Sequence, residues 1–113
     1  MANTITLTNG NDSETGTILD DIIWSLAGDD TVFGGVGSDT VYGGIGNDTL
    51  LGGSGLDDLR GGAGDDYIEG GSHLYHLYGD AGNDTLMGGR SHDRLWGGDD
   101  NDLLDGGEGL DQL

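Results

Sequence analysis

Aspartate recurs at every ninth residue along most of this chain, and this regular spacing is the feature best suited to do chemistry. Divided into nine-residue units from Leu7 onward, the chain has twelve units, and the sixth position is aspartate in eleven of them. These residues are Asp12, Asp21, Asp30, Asp39, Asp48, Asp57, Asp66, Asp84, Asp93, Asp102 and Asp111. The exception is Tyr75. A regular array of carboxylates favours cation binding, because hard divalent cations prefer oxygen ligands.

The overall charge also favours cations as partners. The chain has 22 acidic residues and three basic ones, for a formal net charge of −19. Such a surface repels the phosphates of nucleic acids and anionic membranes, which argues against both as partners. The absence of cysteine removes disulfides, zinc–thiolate sites and cysteine nucleophiles. The first ten residues do not have the pattern of a signal peptide, and no stretch approaches membrane-spanning length.

The remaining positions of each unit predict how the aspartates are held. Glycine at positions one, two and four predicts a tight turn, because glycine adopts positive φ angles at little cost. Positions seven to nine alternate polar, aliphatic and polar, as in a short strand with one buried face. The eighth position is aliphatic in every unit except the first, where it is Glu14. Such short units cannot fold alone, so we expect them to stack as a solenoid around a thin aliphatic core.

The pattern GGxGxDxUx, in which U is aliphatic, resembles the RTX (repeat-in-toxin) nonapeptide family. Units such as GGVGSDTVY (34–42) and GGIGNDTLL (43–51) carry the pattern, which covers nearly the whole chain. The resemblance implies an all-β fold, a right-handed parallel β-roll built as a solenoid of nonapeptide repeats with two repeats in each coil. Units 18 residues apart would then stack, and their turns would form two rows. The first row would carry Asp12, Asp30, Asp48, Asp66, Asp84 and Asp102, and the second row Asp21, Asp39, Asp57, Tyr75, Asp93 and Asp111.

The same resemblance implies calcium sites between successive turns of each row. Each ion would take the carbonyl oxygens of positions two and four and the aspartate of one turn. The next turn would supply the carbonyl oxygens of positions one and three and its own aspartate. Calcium suits such a site because it accepts six to eight oxygen ligands with loose angular demands. Besides the aspartates, the residues assigned to these sites are Gly28, Gly35, Gly37, Gly43, Gly44, Ile45, Gly46, Gly52, Ser54, Gly61, Gly62, Ala63, Gly64, Gly79, Ala81, Gly82, Gly97 and Asp99.

Counting pairs of neighbouring aspartates predicts about eight calcium ions, five in the first row and three in the second. Stacked carboxylates repel one another unless a cation lies between them. Eight divalent ions would nearly balance the net charge of −19, so calcium binding is expected to drive folding cooperatively. Tyr75 is expected to remove the two sites between Asp57 and Asp93. The unit GGRSHDRLW (88–96) lacks the fourth glycine, which puts the site between Asp93 and Asp111 in doubt.

We expect one RTX module over residues 1–113, with degenerate repeats or a cap at 1–24 and calcium-binding repeats at 25–113. No C-terminal capping strand or secretion tail is recognisable, so the chain is expected to be part of a longer protein. The resemblance implies a secreted, extracellular protein exported by a type I route, because weak calcium sites need extracellular calcium. An EF-hand is not predicted, because its twelve-residue loop pattern is absent. The acidic surroundings also disfavour a phosphate-binding glycine loop.

Aromatic residues occupy ninth positions on one side of the predicted solenoid. We call this set, which includes one arginine, the aromatic stripe; it consists of Trp24, Tyr42, Arg60, Tyr78 and Trp96. The stripe predicts either a module that binds an acidic polysaccharide or another surface, or a cross-strand ladder that packs against an adjoining domain or only supports the sheet.

No enzymatic activity is predicted for the chain itself. The three histidines, His73, His76 and His92, lie in second-row units near Tyr75, Ser91 and Asp93, and such side chains can serve acid–base chemistry. A solenoid this thin, however, implies no pocket, and degenerate repeats explain the same residues. A C-terminal fragment of a secreted protease, lipase or epimerase is the remaining alternative. The protease motif HExxH and the lipase motif GxSxG are absent, so such chemistry would lie elsewhere in a longer protein.

Overall fold

The computed structural model describes residues 3–73 and 75–113. Within these residues the fold is all-β, with short turns between the strands. The strands are β1 (Asn3–Thr6), β2 (Ser13–Thr15), β3 (Asp21–Trp24), β4 (Thr31–Val36), β5 (Thr40–Ile45), β6 (Thr49–Ser54), β7 (Asp57–Ala63), β8 (Tyr67–Gly71), β9 (Tyr75–Ala81), β10 (Thr85–Arg90), β11 (Arg94–Asp99) and β12 (Leu103–Glu108). The part of the chain that the structure describes contains no helix able to cross a membrane.

Odd and even strands form two separate six-stranded sheets. The odd-numbered sheet has the order β1-β3-β5-β7-β9-β11, and the even-numbered sheet has the order β12-β10-β8-β6-β4-β2. All neighbours in both sheets are parallel, and paired residues are 18 positions apart, as in Thr40 with Asp58 and Thr31 with Thr49. Two nonapeptides therefore complete one coil, and the predicted parallel β-roll is confirmed.

The eighth-position side chains form the core between the two sheets. In nine of the twelve units this side chain is at most 1% exposed: Ile23, Val32, Val41, Leu50, Leu59, Ile68, Leu77, Leu86 and Leu95. Ile5, Leu7 and Leu104 pack against this cluster and are only partly buried. The sixth-position aspartates face inward on the same side of each strand, since they are two residues away. The thin core therefore lies between two rows of carboxylates.

Glycines at the second and fourth positions allow the coils to approach closely at the turns. Gly44 and Gly46 have φ angles of 98° and 130°, a region that side chains rarely adopt. A Cβ at either residue would collide with a backbone carbonyl of the preceding coil. Ser91, which replaces a fourth-position glycine, still adopts a φ of 89°. The turn of unit 88–96 thus keeps a left-handed residue at this position despite the substitution.

Candidate metal sites between the coils

The two rows of aspartates lie where the chain passes from one sheet to the other. First-row turns lead from an odd strand to the next even strand, and second-row turns lead from an even strand to the next odd one. Eight of the aspartates are at most 3% exposed: Asp21, Asp30, Asp39, Asp48, Asp57, Asp66, Asp84 and Asp93. Asp12, Asp102 and Asp111, towards the ends of the solenoid, are partly exposed.

One oxygen of every buried carboxylate except that of Asp21 joins a ladder of hydrogen bonds between coils. The backbone N–H of Asp48 donates to Oδ1 of Asp66 at 2.8 Å, and the N–H of Asp30 donates to Oδ1 of Asp48 at 2.9 Å. In the first row this ladder runs from Asp12 to Asp102. In the second row it runs from 21 to 57 and again from 75 to 111. The interruption lies between Asp57 and Tyr75.

The second carboxylate oxygen is buried without a hydrogen-bond partner at seven of these positions. The residues concerned are Asp30, Asp39, Asp48, Asp57, Asp66, Asp84 and Asp93. A buried anionic oxygen without a partner is costly, because it has lost its hydration and gained nothing in return. Seven repeated instances in one small domain indicate a common ligand for these oxygens.

At five of these positions, Asp39, Asp48, Asp57, Asp84 and Asp93, the second oxygen lies beside a backbone carbonyl oxygen of the following coil. A Cβ built on Gly43 would lie 2.6 Å from Oδ2 of Asp48 and 2.5 Å from the carbonyl oxygen of Gly61. At Gly34 the corresponding distances are 2.8 Å to Oδ2 of Asp39 and 2.7 Å to the carbonyl oxygen of Gly52. The two oxygens thus face one small space, which the first-position glycine leaves open. At Gly43 these distances place the two oxygens at most about 5.1 Å apart, close enough for both to bind one calcium ion, whose oxygen ligands lie at about 2.3–2.6 Å.

The other predicted carbonyl ligands differ in whether they already accept backbone hydrogen bonds. Second- and fourth-position carbonyls point towards the following coil, as that of Gly46 does towards Gly64. Second-position carbonyls also accept hydrogen bonds, for example that of Leu26 from the N–H of Ile45 at 2.8 Å. Third-position carbonyls accept hydrogen bonds, for example that of Ala63 from the N–H of Gly46 at 2.8 Å. The predicted residues are placed as follows: first position Gly43, Gly52, Gly61, Gly79 and Gly97; second Gly35, Gly44 and Gly62; third Ile45, Ser54, Ala63, Ala81 and Asp99; fourth Gly28, Gly37, Gly46, Gly64 and Gly82.

Backbone carbonyls matter here because side chains alone do not form a metal cage. Among residues 3–73 and 75–113, no three His, Cys, Asp or Glu side chains converge to hold a metal ion. An ion between two coils would rely on carbonyl oxygens as well as carboxylates. Such an all-oxygen donor set suits calcium better than zinc, which prefers nitrogen and sulfur.

Burial makes these carboxylates weak acids in the absence of a cation. Desolvation is the largest cause, and neighbouring aspartates add to it, so that the pKa of Asp66 is raised to about 7 and that of Asp39 to about 6. Desolvation likewise raises the pKa of Asp30, Asp48, Asp57, Asp84 and Asp93. Each carboxylate would therefore be stabilised by a positive charge placed beside it.

The first coil differs from the others because threonines engage its carboxylates. Oδ2 of Asp21 accepts the N–H of Thr17 at 2.6 Å, and Oδ2 of Asp12 accepts the N–H of Thr8 at 2.8 Å. The hydroxyl of each threonine also donates to the same carboxylate. Unlike Asp48, these two aspartates thus use both the backbone and the side chain of a threonine in their own turn as partners.

A second ladder on the outside of the first row was missed by the sequence analysis. It is formed by the fifth-position side chains, which in this row are Asn11, Asp29, Asn47, Asp65, Asn83 and Asn101. Oδ1 of Asn47, for example, accepts the N–H of Asp65 at 2.9 Å, and the same bond repeats along the row. The signal was present in the sequence, since every first-row unit has asparagine or aspartate there. This ladder holds the first-row turns together through the protein alone.

The aromatic stripe lies on the outer face of the odd-numbered sheet. Trp24 stacks on Tyr42 with ring centroids 4.1 Å apart, and Tyr78 stacks on Trp96 at 4.6 Å. The guanidinium carbon of Arg60 lies 4.1 Å from the ring centroid of Tyr78. A groove of about 320 Å³ runs beside the stripe, and its lining includes Trp24, Leu26, Tyr42, Gly44, Arg60, Gly62 and Asp80.

The histidines make three different contacts. His73 hydrogen-bonds through Nδ1 to Oγ of Ser72, His92 Nδ1 accepts the N–H of Leu110, and His76 lies edge-on to Trp96. None of these contacts joins a histidine to a carboxylate. A second groove of about 310 Å³ does include His76 and Asp58 in its lining. The expectation that so thin a solenoid has no pocket was therefore wrong, because side chains standing on the sheet face enclose shallow grooves.

Two parallel sheets wound as a solenoid, with buried carboxylates and carbonyl oxygens between the coils, define a β-roll with cation-binding turns. A family model described as the RTX calcium-binding nonapeptide repeat (4 copies) matches residues 15–50, 51–73 and 78–113. The chain therefore belongs to the RTX calcium-binding nonapeptide repeat family, and it is a calcium-binding β-roll module. A search of curated proteins gave no match to this chain.

Proposed function

We propose that this module folds cooperatively as calcium ions bind between its coils. The observation that carries the proposal is the set of seven buried Oδ2 atoms without hydrogen-bond partners. In the ion-free fold these oxygens and their neighbours repel one another, which destabilises the folded state. Each ion held between two coils would remove part of that cost, so the free energy of binding becomes free energy of folding.

We infer about eight sites, each built from two successive turns of one row. The site between Asp48 and Asp66 would use the carbonyls of Gly44, Gly46, Gly61 and Ala63 and both carboxylates. Support comes from Oδ2 of Asp48 and the carbonyl of Gly61, which face one space. The carbonyl of Ala63 and Oδ1 of Asp66 also accept N–H groups. These two ligands would have to share or release those hydrogen bonds on binding.

Cooperativity follows from the position of each aspartate between two neighbouring coils. Oδ1 of Asp48 bonds to the preceding coil through the N–H of Asp30, and Oδ2 faces the carbonyl of Gly61 in the following coil. One carboxylate therefore contributes to two adjacent sites. An ion that orders one turn would position a ligand for the next site, which favours filling each row as a unit.

The first coil is proposed to act as a cap with weaker sites. Thr8 and Thr17 already provide hydrogen bonds to Asp12 and Asp21. An ion would have to compete with these bonds, whereas Oδ2 of Asp48 has none. We infer that residues 25–113 bind calcium more tightly than the coil at 1–24.

Circular dichroism during a calcium titration tests the proposed function, with magnesium as the matched control ion. We expect a coil-like spectrum in chelator and a steep gain of β signal with calcium. Magnesium should be much less effective, because it requires near-octahedral geometry and gives up water reluctantly. A compact, sheet-rich chain at pH 7.5 after exhaustive dialysis against EDTA would refute the proposal. An equal response to both ions would refute calcium as the specific ligand.

We further propose that the module works outside the cell as part of a protein secreted by a type I route. RTX repeats are typical of secreted proteins, and such repeat modules are typically non-catalytic. Extracellular calcium modules bind with Kd values of about 10⁻⁴–10⁻³ M, so the chain would stay unfolded inside the cell and fold outside. A folding midpoint below about 10⁻⁶ M calcium would contradict this assignment, because cytosolic sensors already respond in that range.

A second candidate function is binding of an acidic polysaccharide or an adjoining domain by the aromatic stripe. The groove beside Trp24, Tyr42 and Arg60 favours it, because ring edges and a guanidinium border the same space. Alanine at Trp24, Tyr42, Tyr78 and Trp96 should abolish retention on an acidic polysaccharide column while preserving calcium-induced folding. Alanine at Phe33 and Met87, exposed or partly exposed on the even-numbered sheet, is the matched control. Unchanged retention of the stripe variant would rule out this candidate.

A further inference from the structure

Tyr75 occupies the sixth position of a second-row turn, where the other described turns of both rows carry aspartate. Its side chain is fully buried, at 0% exposure. A Cβ built on Gly52 would lie 2.8 Å from Oδ2 of Asp57, 2.8 Å from the carbonyl oxygen of Gly70 and 3.1 Å from Cε1 of Tyr75. The aromatic ring therefore borders the same kind of space that Asp48 and Gly61 face in the first row.

The ring also occupies the equivalent space on the other side of its own turn. A Cβ built on Gly70 would lie 2.6 Å from Cδ2 of Tyr75 and 2.7 Å from the carbonyl oxygen of Gly88. In a consensus turn, the carboxylate of the sixth residue would face that carbonyl. One tyrosine ring thus fills the positions of two neighbouring sites of the second row.

The hydroxyl of Tyr75 makes the contacts that hold this part of the row together. It donates to the carbonyl oxygen of Gly53 at 2.6 Å, and it accepts the N–H groups of Ser72 at 3.0 Å and His73 at 3.2 Å. Gly53 is a second-position residue, whose carbonyl is a proposed calcium ligand in consensus turns. In other coils the second-position carbonyl accepts the N–H of the third-position residue of the next coil, as that of Leu26 does from Ile45 at 2.8 Å. Here the hydroxyl bridges the N–H of Ser72 and the carbonyl of Gly53 instead.

The backbone of this turn is also unsuited to a cation. His73 replaces the fourth-position glycine and is not among the residues with positive φ. The N–H groups of Ser72 and His73 point inward at the hydroxyl. Inward N–H groups present positive ends of dipoles, and such an arrangement favours anions or lone pairs over cations.

We propose that Tyr75 is a built-in substitute for calcium, a role that rests on the calcium sites proposed above. Its ring fills two ion positions, and its hydroxyl links the coil of Gly53 to the coil of Ser72 without an ion. The second row is thereby divided into a segment from Asp21 to Asp57 and a segment from Asp93 to Asp111. The coils around Tyr75 need less calcium than the rest to stay together.

The test restores the consensus turn by combining His73→Gly with Tyr75→Asp, which turns unit 70–78 into GGSGLDHLY. Bound calcium per chain is measured at saturation by equilibrium dialysis and atomic absorption. We expect about two more ions than in the wild type, one on each side of the new aspartate. His73→Gly alone is the matched control and should add none, because it supplies no carboxylate.

Tyr75→Phe provides a second readout, because it keeps the ring and removes the hydroxyl. This variant should bind as many ions as the wild type, since the ring still fills both positions. The calcium concentration at the folding midpoint should rise by up to about twofold. The buried partners of the hydroxyl lose their hydrogen bonds, which lowers the free energy of unfolding, and this loss is shared among all bound ions.

The possible outcomes separate this inference from the function on which it rests. A double variant that binds the wild-type number of ions, or fails to fold at saturating calcium, would overturn the role of Tyr75. Additional ions in Tyr75→Phe would also overturn it, because the ring would then not be the obstacle. A wild-type chain that binds no calcium would instead refute the proposed function itself.

Discussion

Replacing Asp66 with asparagine tests whether ions held by buried carboxylates stabilise this fold. Asp66 lies in the middle of the first row and is 3% exposed. Its Oδ1 accepts the N–H of Asp48 at 2.8 Å, and its Oδ2 has no partner. Asparagine has nearly the same volume and retains an oxygen that can accept this N–H, but it carries no charge. The substitution therefore removes the negative charge from the two proposed sites that share this residue and leaves the packing almost unchanged.

The expected effect is large because Asp66 contributes to two proposed sites, one shared with Asp48 and one with Asp84. At a calcium concentration of about 100 times Kd, each site stabilises the fold by about 2.7 kcal/mol, so losing both costs about 5 kcal/mol. The total stability of small domains is about 5–15 kcal/mol. Shared among the roughly six remaining ions, this loss should raise the calcium midpoint for folding about fivefold.

Asp65→Asn is the matched control because it removes the same charge from the neighbouring residue. Asp65 is exposed, and its Oδ1 accepts the N–H of Asn83 at 2.9 Å in the outer ladder of the first row. Asparagine already occupies this position in other coils, for example at Asn47. Isothermal titration calorimetry gives the number of ions, and circular dichroism gives the folding midpoint. Equal values for the two variants would refute the argument from the buried oxygens.

Two further predictions follow from the same geometry. Because burial raises the folded-state pKa of Asp39 to about 6 and of Asp66 to about 7, above the ordinary 3.8, the ion-free fold loses stability as pH rises from about 4 to about 7. Circular dichroism in EDTA should therefore show more sheet at pH 4 than at pH 7.5. This difference should shrink in a variant with asparagine at both Asp39 and Asp66. A signal that does not depend on pH would contradict the proposed cost of burying charged carboxylates. Gly43→Ala should lower the number of bound ions by about one, because its methyl group would occupy the space facing Asp48 and Gly61. Gly10→Ala is the control, since its Cβ would meet only Thr8 Oγ1, at 3.6 Å, and an unchanged ion number in Gly43→Ala would show that the space is not a site.

The fold was predictable from the sequence because two periodic signals agree. The eighth-position residues, such as Leu50, and the sixth-position aspartates, such as Asp48, point to the same side of a strand. The RTX resemblance implies two repeats in each coil. With a nine-residue period, two repeats per coil predict that paired residues of neighbouring coils are 18 positions apart. The pairing of Thr40 with Asp58 confirms that register.

The hydrogen bonding of the site could not be predicted in the same way, because periodicity reports residue types and not contacts. Oδ1 of Asp66 accepts the N–H of Asp48, and Oδ2 has no partner. This difference between the two oxygens follows from the three-dimensional arrangement of the coils and not from residue spacing. Ser91 shows a related limit. The missing glycine cast doubt on its turn, yet neighbouring coils hold Ser91 at a φ of 89°. The backbone conformation of a substituted position therefore depends on the repeats stacked on either side of it as well as on the residue itself.

The two edges of the solenoid differ in side chains, and these differences predict different modes of calcium binding. The first row has an unbroken series of aspartates and a continuous outer ladder of asparagine and aspartate side chains. In the second row Tyr75 divides the aspartates, and the fifth positions include Ser38, Leu56 and His92. A row with shared ligands at every step is expected to fill as one cooperative unit, whereas an interrupted row fills as two shorter ones. Since both rows border the same aliphatic core, the first row would order the sheets and thereby position the carboxylates of the second.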